Sequence, residues 1–394
     1  MDDMCALREN QNVLNASFVN GVNILTKRGG HSVNHIIPDY NMSFDEYIER
    51  CKTLIHERFD KNKYPSLDHI VECNSPYEIK PTHATNSTGV LFIHGLLDSP
   101  FTLRELATEC AKAGMLCRSV LLPGHATTPE DLNEVHYKNW INTVSYGVKS
   151  LAKEVDRIFL VGYSMGATLS LYHIHHQHNI AGLVIIAPAI KIKFPADPLF
   201  RLTPYVKYWE KHAWIKVEDE IDYTKYRSLP YHAVFQLYKL THKINTKKPI
   251  NCPLFIITTR NDETISTDAA IALFKTNDKP QNKLLLYTTQ FHYPDDARII
   301  ERNSYLPEQN IVHFSHRSLP FSKNNSHYGI HGDYSLASHP KKNIQYGAYI
   351  GLLGVYYNVL HSLYLTDKIR QELTYNPDFD FMSKELVDFI KHSS

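Results

Sequence analysis

The sequence predicts an α/β fold, with a mostly parallel central sheet flanked by helices and broken by one inserted segment. Three observations predict it. From about residue 87 to 190, short apolar runs of strand type alternate with helix-type stretches, the pattern of parallel strands joined by covering helices. One of these runs, Ile158-Phe159-Leu160-Val161, passes straight into Gly162-Tyr163-Ser164-Met165-Gly166 and then into the helical start Ala167-Thr168-Leu169-Ser170-Leu171-Tyr172. The alternation breaks over 188–249 and resumes at Cys252-Pro253-Leu254-Phe255-Ile256-Ile257-Thr258. A chain of 394 residues has room for a large buried sheet, an insertion and terminal extensions.

The elements follow in order. Residues 1–43 carry no strong period. Ser43 can cap a helix reaching about Phe59, in which Phe44, Tyr47, Ile48, Cys51, Leu54 and Ile55 form an i, i+3, i+4 stripe. Gly89-Val90-Leu91-Phe92-Ile93 is a strand, 104–113 a helix, and 116–122 a strand ended by the turn Pro123-Gly124-His125-Ala126. After the 158–161 strand and its helix comes the strand Gly182-Leu183-Val184-Ile185-Ile186-Ala187. The late strands are 252–258, 283–287 and 311–314. This divides the chain into an N-terminal extension with first strands (1–85), the first half of a core (86–190), an insertion (191–249), and a second half with C-terminal helices (250–394).

The insertion interleaves Phe194, Phe200, Tyr205, Tyr208, Trp209 and Trp214 with Lys191, Lys193, Arg201, Lys207 and Lys211. Aromatic side chains there can line an apolar pocket while the basic heads stay wet, or simply glue the insertion to the core. Residues 346–365 are apolar and aromatic but include Asn358, His361 and Ser362, so they read as a buried helix, not a membrane span.

A net charge of +1 gives no reason to expect nucleic acid or a strongly acidic partner. Six cysteines, at 5, 51, 73, 110, 117 and 252, show no paired spacing and point to reduced thiols. Met1-Asp2-Asp3-Met4 opens no signal-peptide pattern, so a cytoplasmic protein is expected, or one exported without such a signal.

The five residues around Ser164 carry the chemistry. A strand, G-x-S-x-G and a helix make the sharp turn that presents a nucleophilic serine. The turn leaves no room for side chains two residues before and two after its apex, hence Gly162 and Gly166. The serine also stands at a helix N-terminus, where free N–H groups favour developing negative charge. Earlier, the strand ending at Ile93 runs into His94-Gly95-Leu96-Leu97-Asp98-Ser99-Pro100. In this arrangement such a loop supplies one backbone N–H of an oxyanion hole, here Leu96, and the residue after the nucleophile, Met165, supplies the other.

The phrases His94-Gly95-Leu96-Leu97-Asp98-Ser99-Pro100, Leu122-Pro123-Gly124-His125, Pro129-Glu130-Asp131-Leu132 and Gly162-Tyr163-Ser164-Met165-Gly166 occur in a telling order. From Asn74 onward the chain resembles the bacterial esterase/lysophospholipase branch of the α/β-hydrolases, close to the monoacylglycerol lipases. Ser326-His327-Tyr328-Gly329 and 373–379 are similar to late segments of the same branch. Ala126 departs from the pattern, standing where that branch usually has glycine. The resemblance implies an α/β-hydrolase fold whose insertion is a cap over the site.

A serine hydroxyl needs a histidine to take its proton and a carboxylate to orient that histidine, and in this fold they follow in the order serine, acid, histidine. Asp262 lies just past the strand that follows the insertion, with Glu263 and Asp268 as neighbours. His316 follows the 311–314 run and resembles the branch's serine-histidine phrase, with His327 as the alternative base. The tract His173-Ile174-His175-His176-Gln177-His178 has i, i+3 histidine pairs but no nearby carboxylate, and reads as a helix end, not a metal site.

The expected activity is ester hydrolysis through an acyl-enzyme, on a lipid-like or short acyl ester, with no metal or organic cofactor. No nucleic acid and no integral span are expected, and peripheral contact with a membrane stays open. A peptidase or amidase, an acyltransferase, and a catalytically silent scaffold remain as alternatives.

Overall fold

Val, Ile, Leu and Phe runs bounded by turn residues form strands that can be buried on both faces, which is what a parallel sheet demands. The computed structural model describes residues 16–19, 22–26, 32–33, 36–59, 66–83, 87–176, 180–193, 214–334, 344–347 and 369–393. Its centre is a sheet of β1 (Tyr77–Ile79), β2 (Thr88–Ile93), β3 (Leu116–Val120), β4 (Arg157–Tyr163), β5 (Ile180–Ile186), β6 (Leu254–Thr259), β7 (Lys283–Thr288) and β8 (Ile299–Asn303). The spatial order is β1-β3-β2-β4-β5-β6-β7-β8. Only β1 runs antiparallel to its neighbour. The strand order reverses between β2 and β4, so the loops after these two strands meet at a switch point, the usual place for a ligand in an open α/β sheet.

Side chains alternate between two cores. Leu91, Leu160, Leu183 and Ile256 face a layer that includes α1 (Phe44–Arg58), α4 (Tyr137–Leu151) and α5 (Met165–His176). Val90, Phe92, Phe159 and Phe255 face the opposite layer, with α3 (Arg104–Lys112) and the C-terminal helix Phe379–His392. Each such side chain contributes about 1.5–3 kcal/mol on burial. Ser43 caps α1 by accepting from the Glu46 N–H, and α2 (Leu67–Asn74) follows it along the chain.

The expected strand at 311–314 does not form. Ile311 makes a single bridge to Leu306, and the last strand of the sheet is β8. Glu301, Arg302 and Asn303 hide β8 in the sequence, because an edge strand has one free side and no need of a continuous apolar run. Residues 311–314 are apolar for another reason: Ile311 and Phe314 are packed into the core under a loop.

Between β5 and β6, Trp214–Lys216 pairs antiparallel with Leu229–Pro230, and a helix follows at Tyr231–Thr241. Phe194, Phe200, Tyr205, Tyr208 and Trp209 lie outside the described residues. So does most of the apolar segment 346–365, whose first two residues belong to the short strand Ile344–Gly347. Among the described residues no helix is long and apolar enough to cross a membrane.

Candidate active site

Ser164 ends β4 and opens α5 with φ +53°, a left-handed conformation that a non-glycine residue adopts only when its surroundings impose it. Its N–H donates to the Ile186 carbonyl at 2.9 Å, and its carbonyl accepts from Ala189 at 3.2 Å. The flanking glycines are steric necessities. A Cβ on Gly162 would stand 2.4 Å from the Gly166 carbonyl oxygen, and one on Gly166 would stand 1.9 Å from that of Ile93.

The turn after β6 and the loop after β8 converge on this serine. His316 Nε2 lies 3.1 Å from Ser164 Oγ, and His316 Nδ1 lies 2.6 Å from Asp262 Oδ2. Asp262 is fully buried, and its other oxygen accepts the N–H groups of Thr264 and Ile265, both at 2.8 Å. His316 is held through its main chain as well. Its N–H donates to Glu263 Oε2 at 3.0 Å, and its carbonyl accepts from the Tyr163 hydroxyl at 3.2 Å. Burial opposes charge on the imidazole, but the Asp262 carboxylate outweighs it and the His316 pKa is raised. Glu263 is pushed up to about 8 by burial and by the neighbouring Asp262 and Glu372 carboxylates.

The loop after β2 passes beside the nucleophile, since a Cβ on Gly95 would be 3.2 Å from Ser164 Cβ. It carries Leu96, and Met165 is the first residue of α5, so both N–H groups belong to segments bordering Ser164. His94 braces the loop. Its Nδ1 bonds the Gly95 carbonyl at 2.9 Å, and its Nε2 accepts the Leu122 N–H at 3.0 Å. The accepting Nε2 makes the ring neutral, and burial lowers its pKa to about 4. Ala126 keeps the neighbouring turn despite replacing the glycine expected there, at φ +57°.

Several residues here had no signal in the sequence. Asp222, in the β5–β6 insertion, is fully buried; it accepts from Arg317 Nη2 at 2.5 Å, His327 Nε2 at 2.9 Å and the Tyr328 hydroxyl at 2.7 Å. His327 is thus engaged by a second acid, with its ring against Tyr223 at 4.3 Å, while His316 is the histidine on Ser164. Lys225 pairs with Asp98 at 2.9 Å, and the Tyr226 N–H donates to Leu97, tying the insertion to the loop after β2. A cleft of about 350 Å³ opens there, lined among others by Leu97, Thr127, Val217, Asp222 and Tyr226, and by Arg58 at the end of α1. Partners this far apart in the chain leave no local pattern to read.

In the histidine tract, His173 is buried, with Nδ1 on the Leu169 carbonyl at 2.8 Å and Nε2 on Ser145 Oγ at 3.0 Å. His176 bonds the Tyr172 carbonyl, and His178 lies outside the described residues. Among the described residues no three His, Cys, Asp or Glu side chains are grouped to hold a metal ion. The five described cysteines are buried free thiols.

The family profile described as serine aminopeptidase, S33, matches residues 85–294. The chain belongs to this family. It is a serine hydrolase of the esterase and lipase branch of the α/β-hydrolase superfamily. The hydrolase is 28% identical over 230 residues to the thermostable monoacylglycerol lipase of Bacillus sp. (strain H-257), covering 57% of this chain and 92% of that one. It is 23% identical over 206 residues to the carboxylesterase of Bacillus subtilis (strain 168), covering 52% and 83%. Among solved structures, one from a study of the metagenome-derived lipolytic enzymes LipS and LipT aligns with a TM-score of 0.46 at 22% identity, covering 54% of this hydrolase and 86% of that chain.

Proposed function

We propose that this serine hydrolase cleaves carboxylic esters, of lipid-like or short acyl type, with Ser164 as nucleophile, His316 as base and Asp262 as its orienting acid. The hydrogen-bonded chain from Ser164 Oγ through His316 to Asp262 carries the reading. His316 Nε2 takes the hydroxyl proton as Oγ attacks the ester carbonyl. The tetrahedral oxyanion is met by the N–H groups of Leu96 and Met165, each worth about 3 kcal/mol in comparable sites. His316 then gives its proton to the leaving alcohol, the C–O bond breaks and an acyl-Ser164 ester remains. Water, deprotonated by the same imidazole, releases the acid and restores the serine.

The names of the two bacterial relatives, a monoacylglycerol lipase and a carboxylesterase, support an ester over an amide. We assign the insertion, residues 191–249, as a cap over the loop that carries Leu96, to which Lys225 and Tyr226 tie it. A second reading has one observation in its favour: the family description names an aminopeptidase, and the same triad cleaves amides. Fluorophosphonate labelling of Ser164, followed by p-nitrophenyl esters of increasing chain length and aminoacyl p-nitroanilides, separates them. Ester turnover with negligible anilide turnover is expected. Labelling of another serine, or faster anilide cleavage, overturns the proposal.

A further inference from the structure

The reaction as derived uses the Asp262 carboxylate and leaves its neighbour unused. Glu263 stands in the same turn, and its Oε2 accepts the main-chain N–H of His316 at 3.0 Å. The turn therefore grips the histidine twice, by the ring through Asp262 and by the backbone through Glu263, while Tyr163 holds the His316 carbonyl. We infer that Glu263 is a positioning residue, whose carboxyl fixes the main chain of His316 so that Nε2 stays within reach of Ser164 Oγ. This rests on the reading of His316 as the base.

The geometry explains why a second hold is needed. His316 sits in a turn and not on a strand, so no sheet ladder fixes its backbone. A rotation about that backbone would carry Nε2 out of hydrogen-bond range even with the Nδ1 contact kept, and reaction rates fall steeply with such displacements. Placing a carboxyl here is electrostatically unfavourable. Asp262 lies next in sequence, and Glu372 faces the site from the strand Ile369–Glu372, where it pairs with Arg317 at 3.4 Å. Nearby positive charge comes from His316 itself when protonated, from Arg317, from Lys225, and from Lys193, whose Nζ caps the Asp262 carbonyl. The result is a carboxyl whose pKa is pushed up to about 8. A neutral carboxyl accepts the N–H without placing a second full negative charge beside the imidazole. Its ionisation at alkaline pH would do so and would hold the proton on His316 more tightly.

Three variants test this on the full-length chain, with a p-nitrophenyl ester as probe and thermal melting as a check on the fold. Glu263→Met fills the volume without a carboxyl oxygen; kcat is expected to fall about tenfold with KM within twofold, the loss of one positioning hydrogen bond. Glu263→Gln keeps an oxygen acceptor that cannot ionise; it is expected to restore kcat to within twofold and to remove the alkaline inflection in the kcat profile. His316→Ala, expected to lose all but a trace of activity, tests the underlying assignment separately. A folded Glu263→Met enzyme with wild-type kcat, or a Gln variant as slow as Met, overturns the inference while leaving the triad intact. An active His316→Ala enzyme overturns the triad instead. Should the Met variant not fold, Glu263→Ala takes its place: a roughly tenfold loss of kcat that the Gln variant does not share supports the inference, and a wild-type kcat refutes it.

Discussion

Replacing Asp262 by asparagine has an outcome that the hydrogen bonds of the carboxylate dictate. Oδ1 accepts two main-chain N–H groups at 2.8 Å, from Thr264 and Ile265, and Oδ2 receives His316 Nδ1 at 2.6 Å. The amide must keep its oxygen on the two N–H donors, because turning its NH₂ toward them would leave both unpaired at about 1–3 kcal/mol each. The NH₂ then faces His316 Nδ1. Two donors cannot face each other, so the imidazole must move its proton to Nε2, where it donates to Ser164 Oγ and can no longer take its proton. The loss expected is about 10⁴-fold in kcat, or about 5.5 kcal/mol of barrier. Stability should change little, since both main-chain bonds survive. Asp262→Ala should be equally inactive and less stable than the Asn variant by about 2–6 kcal/mol, because it orphans both N–H groups. Ester turnover and thermal melting of the two variants provide the check. An Asn variant within tenfold of wild type, or an Ala variant as stable as the Asn variant, would refute the argument.

Four further outcomes are expected. The acid limb of kcat/KM should lie above the ordinary histidine value, because burial is outweighed by Asp262; the raised folded-state pKa also means the pair stabilises the fold most below the unfolded-state value, and this is lost as pH rises through the folded-state value, as melting against pH will show. Ala126→Gly should stabilise by about 0.5–1 kcal/mol by relieving φ +57°, and an unchanged or lower melting temperature would contradict this. Gly166→Ala should abolish fluorophosphonate labelling and lower stability, since its Cβ would meet the Ile93 oxygen at 1.9 Å; wild-type labelling would show that the turn yields. Asp222→Asn should destabilise by about 1–3 kcal/mol by removing the nearer of the two carboxylates that pair with buried Arg317, Glu372 remaining at 3.4 Å, whereas His327→Ala should retain a substantial fraction of kcat at low temperature; a stable but dead His327→Ala enzyme would reverse the roles of the two histidines.

Local constraints were legible in the sequence because they act between residues close along the chain. The elbow needs Gly162 and Gly166 two residues either side of Ser164, and those contacts are set by one turn of backbone. The interior strands announce themselves as apolar runs because both of their faces are buried, and Ser43 marks the start of α1 because a cap acts three residues away. Chain order was enough to nominate Asp262 and His316. The apolar residues before His316 plug the core and form no strand, while the edge strand β8 is half charged. Only the tertiary structure shows that His316 and not His327 stands on Ser164, for both are buried histidines beside a carboxylate. What separates them is which carboxylate: Asp262 at the end of a strand beside the elbow, or Asp222 carried in by the insertion. Asp222, Arg317, His327 and Tyr328 meet across about a hundred residues of chain, and Glu263 reaches His316 across about fifty. Such contacts exist only once the sheet has brought the loops at its carboxyl edge together, because hydrogen bonds are short-ranged and a sequence records neighbours along the chain, not across it.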